Sequence, residues 1–257
     1  MELSLIYMYV GFLLAAYSVI ANDSIQTLGT FLASNKAHFK WYTLWVAASI
    51  MMVFTIVYGW VNYNGDISYG RLTRIPFQEV QWYHAMAPAI LLLLTRKGIP
   101  VSTTFLVLSA FASFTVLEKV LMKSIVGYGV AALAAYVIWV VLERYINEKQ
   151  DHPEHVKFWR VGQWVTSGWL WFAWLQHDMA NIAVFLPRQL MVGDLMMVLI
   201  SSVAILGYVF YTGGGRIQEV VINKHGTRFA RSSTIINLVY AFILFFFKEL
   251  NDLPMST

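Results

Sequence analysis

The sequence predicts an all-α fold: a polytopic α-helical membrane protein with inverted repeats and re-entrant half-helices. Three observations lead there. Of 257 residues, 58% are hydrophobic and only 12% charged, against about 45–50% apolar and about 25% charged in a soluble domain. The apolar residues gather in runs long enough for a bilayer, and two uncommon polar motifs occur twice in the same order. The composition excludes a disordered chain, which needs low hydrophobicity and high charge. The absence of cysteine excludes a disulfide-stapled secreted domain and leaves the redox compartment open. A net charge of +4 comes from Lys and Arg spread over the loops between apolar runs, so it reads as membrane orientation, and nucleic acid is not an expected partner.

A helix needs about 20 apolar residues to cross about 30 Å of hydrocarbon. Five runs meet that length: Leu3 to Ala21, Trp41 to Val61, Val126 to Leu142, Phe158 to Leu175, which starts amphipathically around Arg160 and Gln163, and Val192 to Tyr211. Met1 and Glu2 do not make the basic start of a cleaved signal peptide, so the first run is expected to stay as a membrane helix. Trp82 to Thr95 and Thr234 to Phe247 hold only about 14 apolar residues each, thin for a span unless the helix extends into its polar flank. Between the runs lie stretches too apolar for loops and too broken for ordinary helices: Asn22 to Ser34, Gly98 to Phe114, His177 to Leu190 and Asn251 to Thr257. These are expected to be re-entrant segments, because irregular backbone at membrane depth survives only where protein or a water-filled cavity covers it. The charged loops are Asn62 to Gln81, Glu143 to Lys157 and Gly213 to Arg231, and Lys and Arg occur in nearly all of them, which leaves the orientation open.

The repeat is carried by two motif pairs. Asn22-Asp23-Ser24 is matched by His177-Asp178-Met179-Ala180-Asn181, and Gly98-Ile99-Pro100-Val101-Ser102-Thr103 by Asp252-Leu253-Pro254-Met255-Ser256-Thr257. Pro100 lies 77 residues after Asp23, and Pro254 lies 76 after Asp178. The chain therefore divides into a first repeat over 1–125, a connecting helix and polar loop over 126–157, and a second repeat over 158–257. An odd number of crossings between the aspartates would relate the halves by a two-fold axis in the membrane plane, the layout in which transporters place ligands at the midplane.

An aspartate inside a membrane segment costs about 2.5–3.5 kcal/mol on insertion scales and is a functional-site candidate by default. One alone could serve as a helix N-cap or an interhelical hydrogen bond; two in register favour function. With the amide oxygens of Asn22, Asn181 and Gln26, the carboxylates of Asp23 and Asp178 suit a small hard cation such as sodium, or a proton on the carboxylate alone. Pro-Val-Ser-Thr-Thr is built like the opening of a helix, where Ser102, Thr103 and Thr104 would offer hydroxyls beside free backbone N–H groups to a tetrahedral oxyanion. Ser256 and Thr257 would do the same in the second half. His84 is a candidate proton relay or gate, set against a packing histidine. His152 and His155 sit in a loop where Pro153 breaks the spacing of a zinc motif.

On these residues the chain resembles the inorganic phosphate transporter (PiT) family, relatives of the sodium/phosphate symporters of animal cells and of a bacterial sulfate permease. Asn22, Asp23, Gly29 and Thr30 fit the family's Gly-x-Asn-Asp-x-x-Asn-Ala motif, and Gly98, Pro100, Val101, Ser102, Thr103 and Thr104 fit its Gly-x-Pro-Val-Ser-Thr-Thr-His motif. In the second half Asp178, Ala180, Asn181, Pro254, Ser256 and Thr257 fit, and the run from Gly214 to Glu219 is similar to the family's glycine-rich stretch. The resemblance implies secondary active symport of inorganic phosphate with sodium. Phosphate would be held by Asp23, Ser102, Thr103, Thr104, Asp178, Ser256 and Thr257, and sodium by Asn22, Asp23, Asp178 and Asn181. Bound cations would neutralise the carboxylates, create the anion site and so couple the gradients. His177 and Gln26 stand where the family has asparagine, and Phe105 replaces its histidine; His177 and Gln26, with His84, are candidates for coupling or gating. The family continues past the equivalent of Thr257, so the second repeat is expected to be truncated at its C-terminus.

The expected protein is thus not an enzyme, needs no cofactor beyond sodium as co-substrate, and sits as a multi-pass protein in the plasma (inner) membrane. Its expected partners are inorganic phosphate, sodium or protons, the lipid bilayer and, as a candidate, a second copy of the chain. Three alternatives stay open: a proton-coupled phosphate or sulfate permease, an oxyanion sensor that does not transport, and a membrane enzyme using the aspartates and His177 as acid and base. The enzyme lacks support from any nucleophile elbow, His-Glu-x-x-His or metal triad in the sequence.

Overall fold

The computed structural model describes residues 2–99, 101–114, 156–214 and 230–245, together with Gln218 and isolated positions between 118 and 140. Among the described residues the fold is all-helical, with no strand. The first element is one long rod made of α1 (Glu2–Val19), a π turn (Ile20–Ser24) and α2 (Ile25–Asn35). Then come α3 (Trp41–Asn62), α4 (Met86–Arg96), the short α5 (Thr103–Leu108), α6 (Val156–Ala183), α7 (Val192–Tyr211) and α8 (Ala230–Leu244). Among the described residues three helices are long and apolar enough to cross a membrane: Leu3–Asn35, Trp41–Asn62 and Val192–Tyr211.

Two stretches expected to be broken are helical instead. Residues 22–34 continue the first rod, and 177–183 are the last turns of α6, with irregular backbone only from Val184 onward. The polar residues that imitated a loop in the sequence point into the bundle, where side chains of other helices meet them, so the backbone keeps its own hydrogen bonds. The stretch from Gly98 to Phe114 does break. α4 ends where the Gly98 N–H bonds Thr95 O (2.9 Å) and the Ile99 N–H bonds Leu94 O (3.0 Å), with Gly98 at φ +76°, a left-handed position that favours glycine. α5 then starts at Thr103. The thin run from Trp82 opens as a 3-10 turn, Trp82–Ala85, before α4. The other thin run is helical from Ala230, four residues into its polar flank, through Leu244.

The first rod runs antiparallel to α6. Gly11 lies against the Phe185 ring just beyond the end of α6, while Asn35 at the end of α2 is bonded to Gln163 and Arg160 near its start. α3 packs on α6 and α7, and α8 on α6. Indole N–H groups tie these helices through backbone carbonyls: Trp171 to Ala48 O (3.2 Å), Trp45 to Val203 O (3.1 Å) and Trp60 to Leu190 O (2.8 Å). A Cβ on Gly207 would come within 3.1 Å of the Trp45 indole, so the α3–α7 contact depends on a residue with no side chain there.

At one end of the bundle the loop after α3 folds back over the end of α6. Gly65 O accepts from the Leu190 N–H (2.9 Å), and Arg188 Nη2 donates to Ile75 O (3.1 Å). The Tyr69 hydroxyl donates to Thr55 O (2.6 Å). Burial pushes the Tyr69 phenol well above its usual range, so it stays a donor at physiological pH. This loop carries Arg71 to the site described next.

Candidate functional site

The π turn places Asn22 and Asp23 facing inward, both nine-tenths or more buried. A π turn admits one extra residue, a local widening found mostly at functional positions. Asp23 accepts hydrogen bonds from Asn22 Nδ2 at its Oδ1 (2.6 Å) and from Thr103 Oγ1 at its Oδ2 (2.9 Å). Asn22 Nδ2 also donates to Val101 O (3.1 Å), fixing the segment that leads into α5. From α6, Asn181 Nδ2 donates to Thr103 Oγ1 (3.1 Å) and to Thr104 Oγ1 (3.2 Å). His177 Nε2 lies 3.3 Å from Thr104 Oγ1.

One connected network thus joins the Asn-Asp motif of the first half, the Ser-Thr-Thr motif and the His-Asp-x-x-Asn motif of the second half. Its links are Asn22, Asp23, Thr103, Asn181, Thr104 and His177. Asp178 is buried on α6 beside His177 and three residues before Asn181, one helical turn away.

Hydrogen-bond direction follows from donor inventory. Arg71 Nη1 lies 3.3 Å from His177 Nδ1, and Arg71 Nε donates to Gln176 O (3.2 Å). A guanidinium only donates, so His177 Nδ1 accepts, and the ring hydrogen sits on Nε2 and is donated to Thr104. Thr104 then accepts from both His177 and Asn181, which leaves its own hydroxyl hydrogen to give. Thr103, which donates to Asp23, accepts from Asn181.

Several buried oxygens in and beside the network have no partner among the described residues: Asn22 Oδ1, Asn181 Oδ1, Ser24 Oγ and Thr27 Oγ1, along with Gln26 Nε2. Unmade hydrogen bonds of buried groups cost about 1–3 kcal/mol each. Amide oxygens, hydroxyls and two carboxylates are the donor set of a hard cation held at moderate strength. Among the described residues no group of three or more His, Asp or Glu side chains gathers as a metal centre.

The other candidate residues lie as follows. Ser102 caps α5, its Oγ accepting from the Phe105 N–H (3.3 Å). α5 spans only six residues, so what the site offers an anion comes from the Thr103 and Thr104 side chains rather than from a long helix dipole. Gln26 is half-buried on α2. His84 packs outside the network: its ring stacks on Phe111 at 4.3 Å and 7°, and its Nδ1 accepts from the Gln81 N–H (2.9 Å). Ser256 and Thr257, with Pro100, Pro254, His152 and His155, lie outside the described residues. From the glycine-rich stretch, Gln218 reaches the first rod and donates to Gly29 O (3.0 Å).

Sequence reasoning missed Arg71. Nothing in the loop sequence distinguishes it from the other basic residues there, and only the folding back of the loop over α6 brings it to His177. Compared with known proteins, the chain matches no protein-family model, no curated protein and no solved structure. Among the described residues, the fold and the site define an all-helical protein with three helices fit to span a membrane and a buried carboxylate–amide–hydroxyl network.

Proposed function

We propose that the protein is a secondary active transporter that symports inorganic phosphate with sodium across the plasma (inner) membrane, in which it sits as a multi-pass protein. The observation that carries this reading is the single network through Asp23, Thr103, Asn181, Thr104 and His177, which unites motifs from both halves of the chain at a buried position. Sodium is bound by the oxygens of Asn22, Asn181, Asp23 and Asp178, two of which, Asn22 Oδ1 and Asn181 Oδ1, find no donor among the described residues. The phosphate oxygens take the Thr104 hydroxyl hydrogen and the cation charge. Cation binding comes first, because a bare carboxylate repels an oxyanion and a neutralised one does not. The halves act as inverted repeats that rock around this site, and α5 behaves as a re-entrant half-helix. Sodium is favoured over the proton because buried amide and hydroxyl oxygens beside the carboxylates suit a hard cation, whereas a proton would need a carboxylate alone.

The test is uptake of labelled phosphate into proteoliposomes under an inward sodium gradient, an inward proton gradient or neither. Sodium-driven uptake above the gradient-free control is expected. Uptake driven by protons alone would replace sodium in the reading, and no uptake by folded protein would reject transport in favour of a sensor or an enzyme.

A further inference from the structure

Beyond Asp23, one face of α2 carries Thr27, Thr30 and Ser34, at spacings of four, three and four residues that stack side chains along one side of a helix. α6 and α8 answer them. Thr30 Oγ1 donates to Asn237 Oδ1 (3.0 Å), and Asn237 Nδ2 donates to Ser167 Oγ (2.7 Å). About one turn further, Gln163 of α6 holds all three helices: its Nε2 donates to Ser233 Oγ (2.9 Å) and to Ser34 Oγ, and its Oε1 accepts from Asn35 Nδ2 (2.7 Å). Asn35 Oδ1 accepts in turn from Arg160 Nη1 (3.2 Å). Gln163, Asn35 and Ser233 are fully buried.

These side chains form a polar lane from Asp23 to Arg160. The lane spans 12 residues of the first rod, Asp23 to Asn35, about 18 Å at 1.5 Å per residue. It ends among cations, Arg160 beside the Lys36 to Lys40 turn, at the end of the bundle opposite the Arg71 loop. Between the lane and the site stand Ser24 and Thr27, whose buried hydroxyls have no partner among the described residues. Single interhelical hydrogen bonds in a membrane average about 0.6 kcal/mol, so holding three helices together does not call for a row of polar side chains that starts beside a carboxylate and ends at a guanidinium. The links between helices are side-chain bonds, and along α2 the step from Ser34 to Thr30 runs through the Thr30 carbonyl. Where α8 parts from α2 and α6, these polar groups can exchange their bonds for bonds to water, which an apolar seam could not do.

We propose that this lane is the closed half of the path between the Asp23 site and the membrane face on which Arg160 lies, with Gln163 as its latch. The ions pass along it toward Arg160 when α8 moves away. The proposal rests on the transport reading above.

The chain has no cysteine, so a Ser34→Cys/Ser233→Cys double variant carries the only two thiols. Both serine oxygens bond one nitrogen of Gln163, which brings the thiols within reach of a short reducible cross-linker. Sodium-driven uptake of labelled phosphate is expected to fall at least tenfold in the fraction shown by mass to be joined, and to return on reduction. Uptake that survives joining would overturn the lane and leave the transport reading standing. Absence of uptake in the cysteine-free parent would overturn the transport reading and the lane with it. Where the double variant does not fold or cannot be joined, Ser233→Cys alone decides. Its rate of modification by a charged maleimide should change at least threefold when sodium and phosphate are added, and an unchanged rate overturns the lane.

Discussion

Replacing Asp23 by asparagine removes a charge without changing shape, and the geometry sets what that costs. Among the donors that face the carboxylate are Asn22 Nδ2 at 2.6 Å and Thr103 Oγ1 at 2.9 Å. An amide has one acceptor oxygen. If its nitrogen faces Asn22, two NH2 groups meet. Turning the Asn22 amide relieves that contact but gives up the bond from Asn22 Nδ2 to Val101 O. If the nitrogen faces Thr103, the hydroxyl must turn its hydrogen away while still accepting from Asn181. Every arrangement gives up the charge assistance of the native bonds, worth about 1.5–3 kcal/mol, together with the charge that a cation would meet. At 1.4 kcal/mol per factor of ten, Asp23→Asn should raise the KM for sodium about 10- to 150-fold in proteoliposome uptake, with helix content by circular dichroism unchanged. A folded variant whose KM stays within twofold would refute the reasoning.

The remaining predictions separate binding from support. Asp178→Asn should likewise abolish most sodium-driven uptake, measured in the same vesicles; full retention would remove Asp178 from the cation site. Thr103→Val keeps the volume but takes away the donor to Asp23 and the acceptor for Asn181, so the KM for phosphate should rise about tenfold, at about 1 kcal/mol for each bond with partial relaxation. Ser102→Ala removes only a cap and should cost about 1 kcal/mol of stability, seen as a lower Tm in detergent, with KM unchanged. Arg71→Ala should raise the KM for phosphate, and Arg71→Lys should restore it only in part, because a single ammonium does not span both Gln176 O and His177 Nδ1. Gly59→Ala puts a methyl 2.7 Å from the Tyr69 ring and should open the loop after α3 to proteolysis in detergent.

Much of this was legible in the sequence, for a physical reason. The run expected from Trp41 to Val61 is a helix from Trp41 to Asn62, and the run from Val192 to Tyr211 has those same ends, because apolar length bounded by turn formers is a strong local signal. The pairing of Asp23 with the Ser-Thr-Thr segment was visible as two motifs of unusual polarity in apolar surroundings. Continuity of the helix through Asn22 and Ser34 was not. Composition along a chain cannot distinguish polar residues that break a helix from polar residues on one helical face that meet partners more than a hundred positions away, as Asn35 meets Gln163. The amphipathic start of the fourth run at Arg160 and Gln163 was the one local trace of that second cluster. Arg71 left none, since its partner lies 106 positions further on.

The π turn at Ile20–Ser24 bears on which sequence changes this chain can absorb. An i→i+5 turn holds one residue more than an i→i+4 turn, so the extra residue is absorbed there and α1 and α2 keep the phase of an uninterrupted helix on either side. Deleting a single residue from 20–24 would close the turn to a regular α-helix and leave Thr30, Ser34 and Asn35 facing Asn237 and Gln163, while shifting Asn22 and Asp23, which lie inside the turn. The effect of a change of length is therefore confined to the site: a related chain with a single-residue gap there would keep the packing of the first rod on its neighbours and lose the inward-facing pair Asn22 and Asp23.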